Sequence, residues 1–272
     1  MSSEVEEFVR YQIANAELRR YPFAHFYVRP VFPDEYYREL LARLPRTEVL
    51  TPIHETGTVG IVDPKSGEIR TRYEARHIAD LGVLEEDEAR RAAGHLWRDL
   101  ASWLMDEPFR ELIMDKFAAA ITERFGEGVR LVTDLDSRFV RDFASYRIPP
   151  HTDQPAKLVS VLFYLPADES LRQHGTAIYR PVSPDLRCEG NARHDFASFS
   201  KVATMPFLPN ALFGFFKTDR SFHGVEAIKD DGIERNALLY NIYVRKAVRT
   251  AAPAALSRGP WVWPWSINRR NP

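Results

Sequence analysis

Two periodicities divide the chain. In roughly the first 128 residues, apolar positions recur at helical spacing with interruptions; from Val129 onward they gather in short extended runs. Ser3-Glu4-Val5-Glu6 has the form of a capping box and predicts a helix to about Arg19. Pro22 to Arg29, with Phe23, Phe26 and Val28, reads as extended. Asp34 is placed to cap a second helix, in which Tyr36, Tyr37, Leu40, Leu41 and Leu44 share one face until Pro45 stops it. Residues 51–80 lose the helical period. Asp63-Pro64-Lys65-Ser66-Gly67 marks a turn there and predicts a hairpin near 51–75. Two more helices are expected near 85–105 and 108–125; in the second, Phe109, Leu112, Ile113, Phe117, Ile121 and Phe125 form a stripe suited to packing on a sheet.

The later runs predict strands at Arg130–Phe139, Phe143–Ile148, Leu158–Leu165, Thr176–Tyr179, Ala211–Phe216, Gly224–Ala227 and Ala237–Val244. Many short strands divided by turns point to a β-sandwich or double-sheet barrel, with the helices bracing one outer face. The expected organisation is a single domain over 1–272: mostly helical support over 1–128, a β-barrel core over 129–250 and an aromatic tail over 251–272. Arg180–Pro209 shows no periodicity and is expected to be a functional lid or partly disordered. Trp261-Val262-Trp263-Pro264-Trp265 in the tail is expected to pack on the body or on a second subunit, so both monomer and homodimer stay open.

Composition narrows the partners more than the fold. The 272 residues carry a formal net charge of -1, which gives no bulk attraction to nucleic acid. A single cysteine, Cys188, excludes an intramolecular disulfide and any cysteine-built zinc site. The acidic start lacks the character of a secretory signal, and no apolar run is long enough to span a bilayer. The expectation is a cytoplasmic protein with no membrane partner. Signature motifs of nucleotide-binding proteins, zinc proteases and serine hydrolases are absent.

The candidate chemistry lies in His151-Thr152-Asp153, with His223 and Arg235 further along. Two imidazoles and a carboxylate make the facial ligand set that holds non-haem Fe(II) with coordination positions open. Pro149 and Pro150, which lack N–H donors, are expected to end the preceding strand, leaving His151 and Asp153 on a stiff turn. A His-x-Asp triplet alone carries little information. What raises its weight is Arg235, about a dozen residues after His223 and at the head of an apolar strand. A guanidinium buried there needs an anion, either a protein carboxylate or a bound diacid gripped by two parallel hydrogen bonds.

These marks resemble the Fe(II)/2-oxoglutarate-dependent dioxygenases, and most closely their prolyl-hydroxylase-like branch. The resemblance covers about 134–245: Tyr146 and the His-x-Asp five residues on, Phe163-Tyr164-Leu165-Pro166, His174-Gly175-Thr176 and Phe222-His223-Gly224-Val225. Tyr21-Pro22-Phe23 and the helix at 34–44 are similar to the amino-terminal part of such enzymes. The resemblance implies a double-stranded β-helix, a jelly-roll or cupin-like barrel. It also implies iron on His151, Asp153 and His223, and 2-oxoglutarate and O₂ as co-substrates. Arg235 would pair with the far carboxylate of 2-oxoglutarate, Tyr164 would hydrogen-bond that same carboxylate, and Tyr146 would stand near the co-substrate. Related halogenases lack the carboxylate ligand; Asp153 therefore favours hydroxylation. The substrate would be a small molecule, free or bound to a carrier or peptide, with Arg138 and Arg141 as candidate contacts.

Three other readings fit the same residues. The iron site could desaturate or cyclise its substrate. A cupin-like zinc hydrolase or isomerase could use the same ligands without needing Arg235. A metal-free sensor could retain the triad as a relic.

Overall fold

The computed structural model describes residues 2–53, 72–82, 88–144, 146–228 and 232–249. The expected turn at Asp63–Gly67 and the aromatic tail lie outside the described residues.

Among the described residues, five α-helices occur in the first half of the chain: α1 (Ser2–Asn15), α2 (Asp34–Ala42), α3 (Glu88–Leu104), α4 (Glu107–Lys116) and α5 (Ala118–Phe125). In α1, Val5, Val9 and Ile13 recur every fourth residue and are buried. The helix stops short of Arg19 because Arg19 exchanges both backbone hydrogen bonds with His25, drawing the chain into an extended path. Asp34 is the first residue of α2 rather than its cap; the N-cap is Pro33, which has no side-chain acceptor. The chain entering α2 is held instead by Asn210, whose Oδ1 accepts from the backbone N–H groups of Val31 and Phe32. The helix expected over 108–125 is two. Asp106 caps α4 by accepting from the N–H of Phe109, and the path breaks at Phe117, which is fully buried between Phe26 and Phe216. Tertiary packing of one ring has overridden a continuous helical stripe.

The described residues contain eleven strands: β1 (His25–Val28), β2 (Thr51–Pro52), β3 (Arg72–Arg76), β4 (Val129–Asp142), β5 (Ile148–His151), β6 (Lys157–Tyr164), β7 (Thr176–Pro181), β8 (Phe199–Met205), β9 (Ala211–Phe216), β10 (His223–Val225) and β11 (Arg235–Arg249). They form a seven-stranded sheet ordered β1-β9-β6-β11-β4-β3-β2 and a four-stranded sheet ordered β5-β10-β7-β8, with every pairing antiparallel. From β4 to β11 the chain deals its strands between the two sheets, so that β9-β6-β11-β4 faces β5-β10-β7-β8. This is the double-stranded β-helix, a jelly roll of two open sheets rather than a closed barrel. Strands β2 and β3 pair antiparallel, as the arms of the expected hairpin should.

Alternation along the strands assigns the two faces of the large sheet. Leu238, Tyr240 and Ile242 join the helices in one core, whereas Ala237, Val140, Tyr164 and Phe213 pack with Ile178 and Met205 of the small sheet in another. Two expectations are corrected here. The stretch 180–209 is not all irregular: it contains β8, the outer strand of the small sheet, whose run of exposed positions hid its period. The strand placed at Phe143–Ile148 lies later, at Ile148–His151, and passes through Pro149 and Pro150 instead of ending before them. An edge strand tolerates two missing donors, and β5 is at the edge of its sheet.

Candidate functional site

The two histidines are brought together by strand pairing. β5 and β10 are antiparallel neighbours, and His151 stands opposite His223 in register. Gly224 makes the close approach possible, since a Cβ there would lie 2.4 Å from the carbonyl oxygen of Ile148. The imidazole centroids are 4.4 Å apart. Asp153, just beyond β5, completes the group: one ligand atom from each of His151, Asp153 and His223 falls within 4.8 Å of the others. An ion at their centre would meet two nitrogens and one carboxylate oxygen.

Each of the three side chains is oriented through its other polar atom. Nδ1 of His151 lies 3.0 Å from the carbonyl of Pro149, and Nδ1 of His223 lies 2.9 Å from the carbonyl of Ser221. A carbonyl only accepts, so Nδ1 carries the proton in both rings and the Nε2 lone pairs are left for a metal. Ser160 Oγ donates to Asp153 Oδ2 at 2.8 Å, leaving Oδ1 toward the histidines, where it stands 3.9 Å from His223 Nε2. Lys157 Nζ also reaches Oδ1, at 3.2 Å.

The protonation states suit metal binding. Burial, followed by the neighbouring His223, pushes His151 down to about 3, and burial likewise lowers His223. Burial alone would raise the Asp153 carboxyl, but Lys157, the two histidines and the Ser160 hydrogen bond hold it well below the usual carboxylate range. With neutral rings, the approach of His223 to Asp153 is a convergence of ligand atoms and not an ion pair. Metal ligands must present these same forms, neutral imidazole and ionised carboxylate.

Arg235 begins β11 and points between the sheets, as its strand position predicts; it is 1% exposed. Its Nε donates to the carbonyl of His174 at 2.8 Å and its Nη1 to Asp142 Oδ2 at 2.6 Å, while Nη2 is buried with no partner among the described residues. Both anions considered from the sequence therefore bear on this residue. A protein carboxylate is present, and one nitrogen still lacks an acceptor. The guanidinium lies over the rings of Phe207 and Tyr164, at 4.6 and 5.8 Å. Tyr164 is buried, with its hydroxyl donating to Thr176 Oγ1 at 2.9 Å. Tyr146 is buried against Val225 and Ile228, under the guanidinium of Arg72.

A cavity of about 130 Å³ contains the triad together with Arg72, Ser160 and Arg235; Leu162, Phe215, Val225 and Leu239 supply its apolar walls. A wider cavity of about 620 Å³ adjoins it, sharing Arg72, His151, Asp153 and Lys157 and reaching Glu74, Arg138 and Arg193. That second volume is of the size that takes a small organic molecule. Arg138 is thus at the outer cavity, paired with Asp136 and Glu74. Arg141 is not: one position out of phase on β4, it turns to Asn236, Thr47 and the carbonyl of Pro45, and its candidacy as a substrate contact is withdrawn. A third cavity of about 490 Å³, near Phe23, Arg124 and Lys217, is lined by none of the triad residues.

Four further residues belong to the site without being sequence candidates: Ser160, Lys157, Arg72 and Asp142. Only Ser160 could have been found, because it shares the inward parity of Leu162 and Tyr164 on β6.

No family model and no curated protein matches the chain. Solved structures resemble it at low identity. A prolyl-4-hydroxylase of Pseudomonas putida is 17% identical, with a TM-score of 0.43 over 90% of this chain and 100% of that one. A prolyl hydroxylase from Trichoplax adhaerens, solved with a peptide fragment of the hypoxia inducible factor oxygen degradation domain, is 14% identical, with a TM-score of 0.47 over 89% and 90%. HygX from Streptomyces hygroscopicus, solved with nickel and 2-oxoglutarate, is 13% identical, with a TM-score of 0.38 over 80% and 82%. These likenesses are distant, and the functional reading rests on this chain's own side chains. Among the described residues, no helix is long and apolar enough to cross a membrane.

Proposed function

We propose that the chain is an Fe(II)- and 2-oxoglutarate-dependent oxygenase that hydroxylates an unactivated C–H of a small molecule, free or carried on a larger partner. The observation that carries this reading is a pairing within one cavity: three convergent metal-ligand atoms, and a buried arginine nitrogen that lacks an acceptor. A zinc hydrolase would require the first and not the second.

The residues present fit the groups. Nε2 of His151, Nε2 of His223 and Oδ1 of Asp153 would hold the ion, leaving positions for a chelating keto acid and O₂. Arg235 Nη2 would receive the far carboxylate of 2-oxoglutarate and fix the direction in which the keto acid enters. When bound, ferrous iron with 2-oxoglutarate and O₂ supplies the oxidising power: one oxygen atom goes to the substrate, the other to succinate, and CO₂ is released. The protein's part is placement and dryness. Leu162, Phe215, Val225 and Leu239 keep water from the reacting centre, and the adjoining cavity would hold the substrate over the open face of the triad.

A substrate library tests the proposal, read by succinate release and by a product mass increased by one oxygen atom. Both signals should require Fe(II) and 2-oxoglutarate and vanish when zinc replaces iron. A zinc-loaded protein that turns over a library member without 2-oxoglutarate would support the hydrolase instead. A product lighter by two hydrogens would convert the reading to desaturation or cyclisation.

A further inference from the structure

Three charged side chains stand in one row across the large sheet: Arg72 on β3 is in register with Asp142 on β4, and Asp142 with Arg235 on β11. The Asp142 carboxylate is wholly buried and serves both arginines. Nε and Nη2 of Arg72 donate to it at 2.5 and 2.9 Å, and Nη1 of Arg235 at 2.6 Å. One anion between two cations leaves a buried row with an excess positive charge, which is costly unless something neutralises it. Two nitrogens of the row are left over. Among the described residues, the buried Arg235 Nη2 has no partner and Arg72 Nη1 makes no hydrogen bond. Both arginines line the cavity that contains the triad.

Arg72 is also fixed in place. Its guanidinium lies 4.3 Å from the centre of the Tyr146 ring, and Tyr146 is itself wedged against Val225 and Ile228. Were neutralising Asp142 all that was required, Arg235 would already do so.

We infer that Arg72 is the second cation of the co-substrate pocket: together with Arg235 it receives the far carboxylate of a keto diacid, and so selects a dianionic over a monoanionic co-substrate. The inference rests on the co-substrate reading above. It gives Tyr146 a definite part, as a positioning residue that acts through Arg72.

Two keto acids of equal chain length, 2-oxoglutarate and 2-oxopentanoate, differ in the far carboxylate and isolate its contribution. Each is titrated without oxygen into the Fe(II)-loaded protein and followed by the visible absorption of the chelate. Arg72→Gln should raise the half-saturating 2-oxoglutarate concentration about tenfold or more while moving that of 2-oxopentanoate by no more than about twofold, as expected for loss of a charge-assisted hydrogen bond to one carboxylate. Arg72→Lys should recover part of the loss. Tyr146→Leu, which keeps the charge and removes the ring beneath it, should fall between. An unchanged ratio between the two acids in Arg72→Gln overturns the inference, and so does an equal loss for both, the signature of general damage. If Arg72→Gln does not fold, Arg72→Lys and Tyr146→Leu are judged by the same ratio. Failure of the parent reading looks different: the unaltered protein gives no chelate absorption with either acid. The metal-free protein provides an independent readout. Succinate should raise the Tm of the unaltered protein and not that of Arg72→Gln; an equal rise in both counts against Arg72.

Discussion

The two ends of the central cavity are built on different sheets and finished differently. At the metal end, on the small sheet, each ligand has its outer polar atom satisfied, by the carbonyls of Pro149 and Ser221 and by the hydroxyl of Ser160. The inner atoms, Nε2 of both histidines and Oδ1 of Asp153, converge, with Lys157 Nζ 3.2 Å from Oδ1. At the arginine end, on the large sheet, the charges do not balance: Asp142 is shared by Arg72 and Arg235, and a buried nitrogen has no acceptor among the described residues. One end is pre-organised in geometry and the other in charge. A chelating diacid needs both, because its keto acid end demands fixed ligand directions and its far end demands an uncompensated cation.

Substitutions at each end should separate these two kinds of preparation. The largest effect is expected for Asp153→Ala, which should lower Fe(II) affinity beyond the roughly hundredfold that loss of an outer hydrogen-bond partner costs, and abolish turnover. Equilibrium dialysis with Fe(II) measures this. Near-normal iron retention would mean that the carboxylate is not a ligand. Arg235→Ala should act on the other property: Asp142 keeps Arg72 but loses one buried hydrogen bond, which should destabilise the fold by about 1–3 kcal/mol, while the 2-oxoglutarate requirement rises steeply. Urea unfolding and co-substrate titration read the two effects separately, and an unaltered 2-oxoglutarate requirement would remove Arg235 from the pocket. Ser160→Ala is milder. It should weaken iron about tenfold or somewhat more by freeing Asp153 to rotate, with little change in Tm.

Acid should affect the metal end in a definite direction. His151 has a folded pKa of about 3 against an ordinary 6.5, so between these values the unfolded chain binds a proton that the folded chain does not. Its contribution to stability is present above 6.5 and is lost as pH falls toward 3. Asp153, held below its ordinary value, adds to the loss in the same direction at the acid end. The metal-free protein should therefore lose stability on acidification through this window, and His151→Asn should flatten the slope. A slope unchanged by that substitution would show that the ring titrates normally. The smallest effect belongs to Arg141→Met, which should leave the co-substrate requirement within about twofold, since a side chain that faces away from a site contributes to stability alone.

The contrast also accounts for what the sequence revealed. The convergence of His151, Asp153 and His223 is legible because the three sit in short marked segments, a His-x-Asp after paired prolines and a histidine between apolar runs. The arginine end was half legible. Arg235 announced itself by charge at the head of an apolar strand, but Asp142 and Arg72 did not, because their partnership exists only through the register of three strands far apart in the chain. Exact phase was likewise hidden in Arg141, which differs from Arg138 only in which face of β4 it occupies. The break at Phe117 and the strand β8 escaped for a related reason, since packing in the folded chain decided both.

The most direct test of the central claim is an oxygen-free titration of the metal-free protein with Fe(II) and 2-oxoglutarate, followed by visible absorption. The account predicts a charge-transfer band that saturates at one iron per chain, requires both additions, and disappears in Asp153→Ala. A well-folded protein that gives no band, or one whose band persists without Asp153, would contradict it.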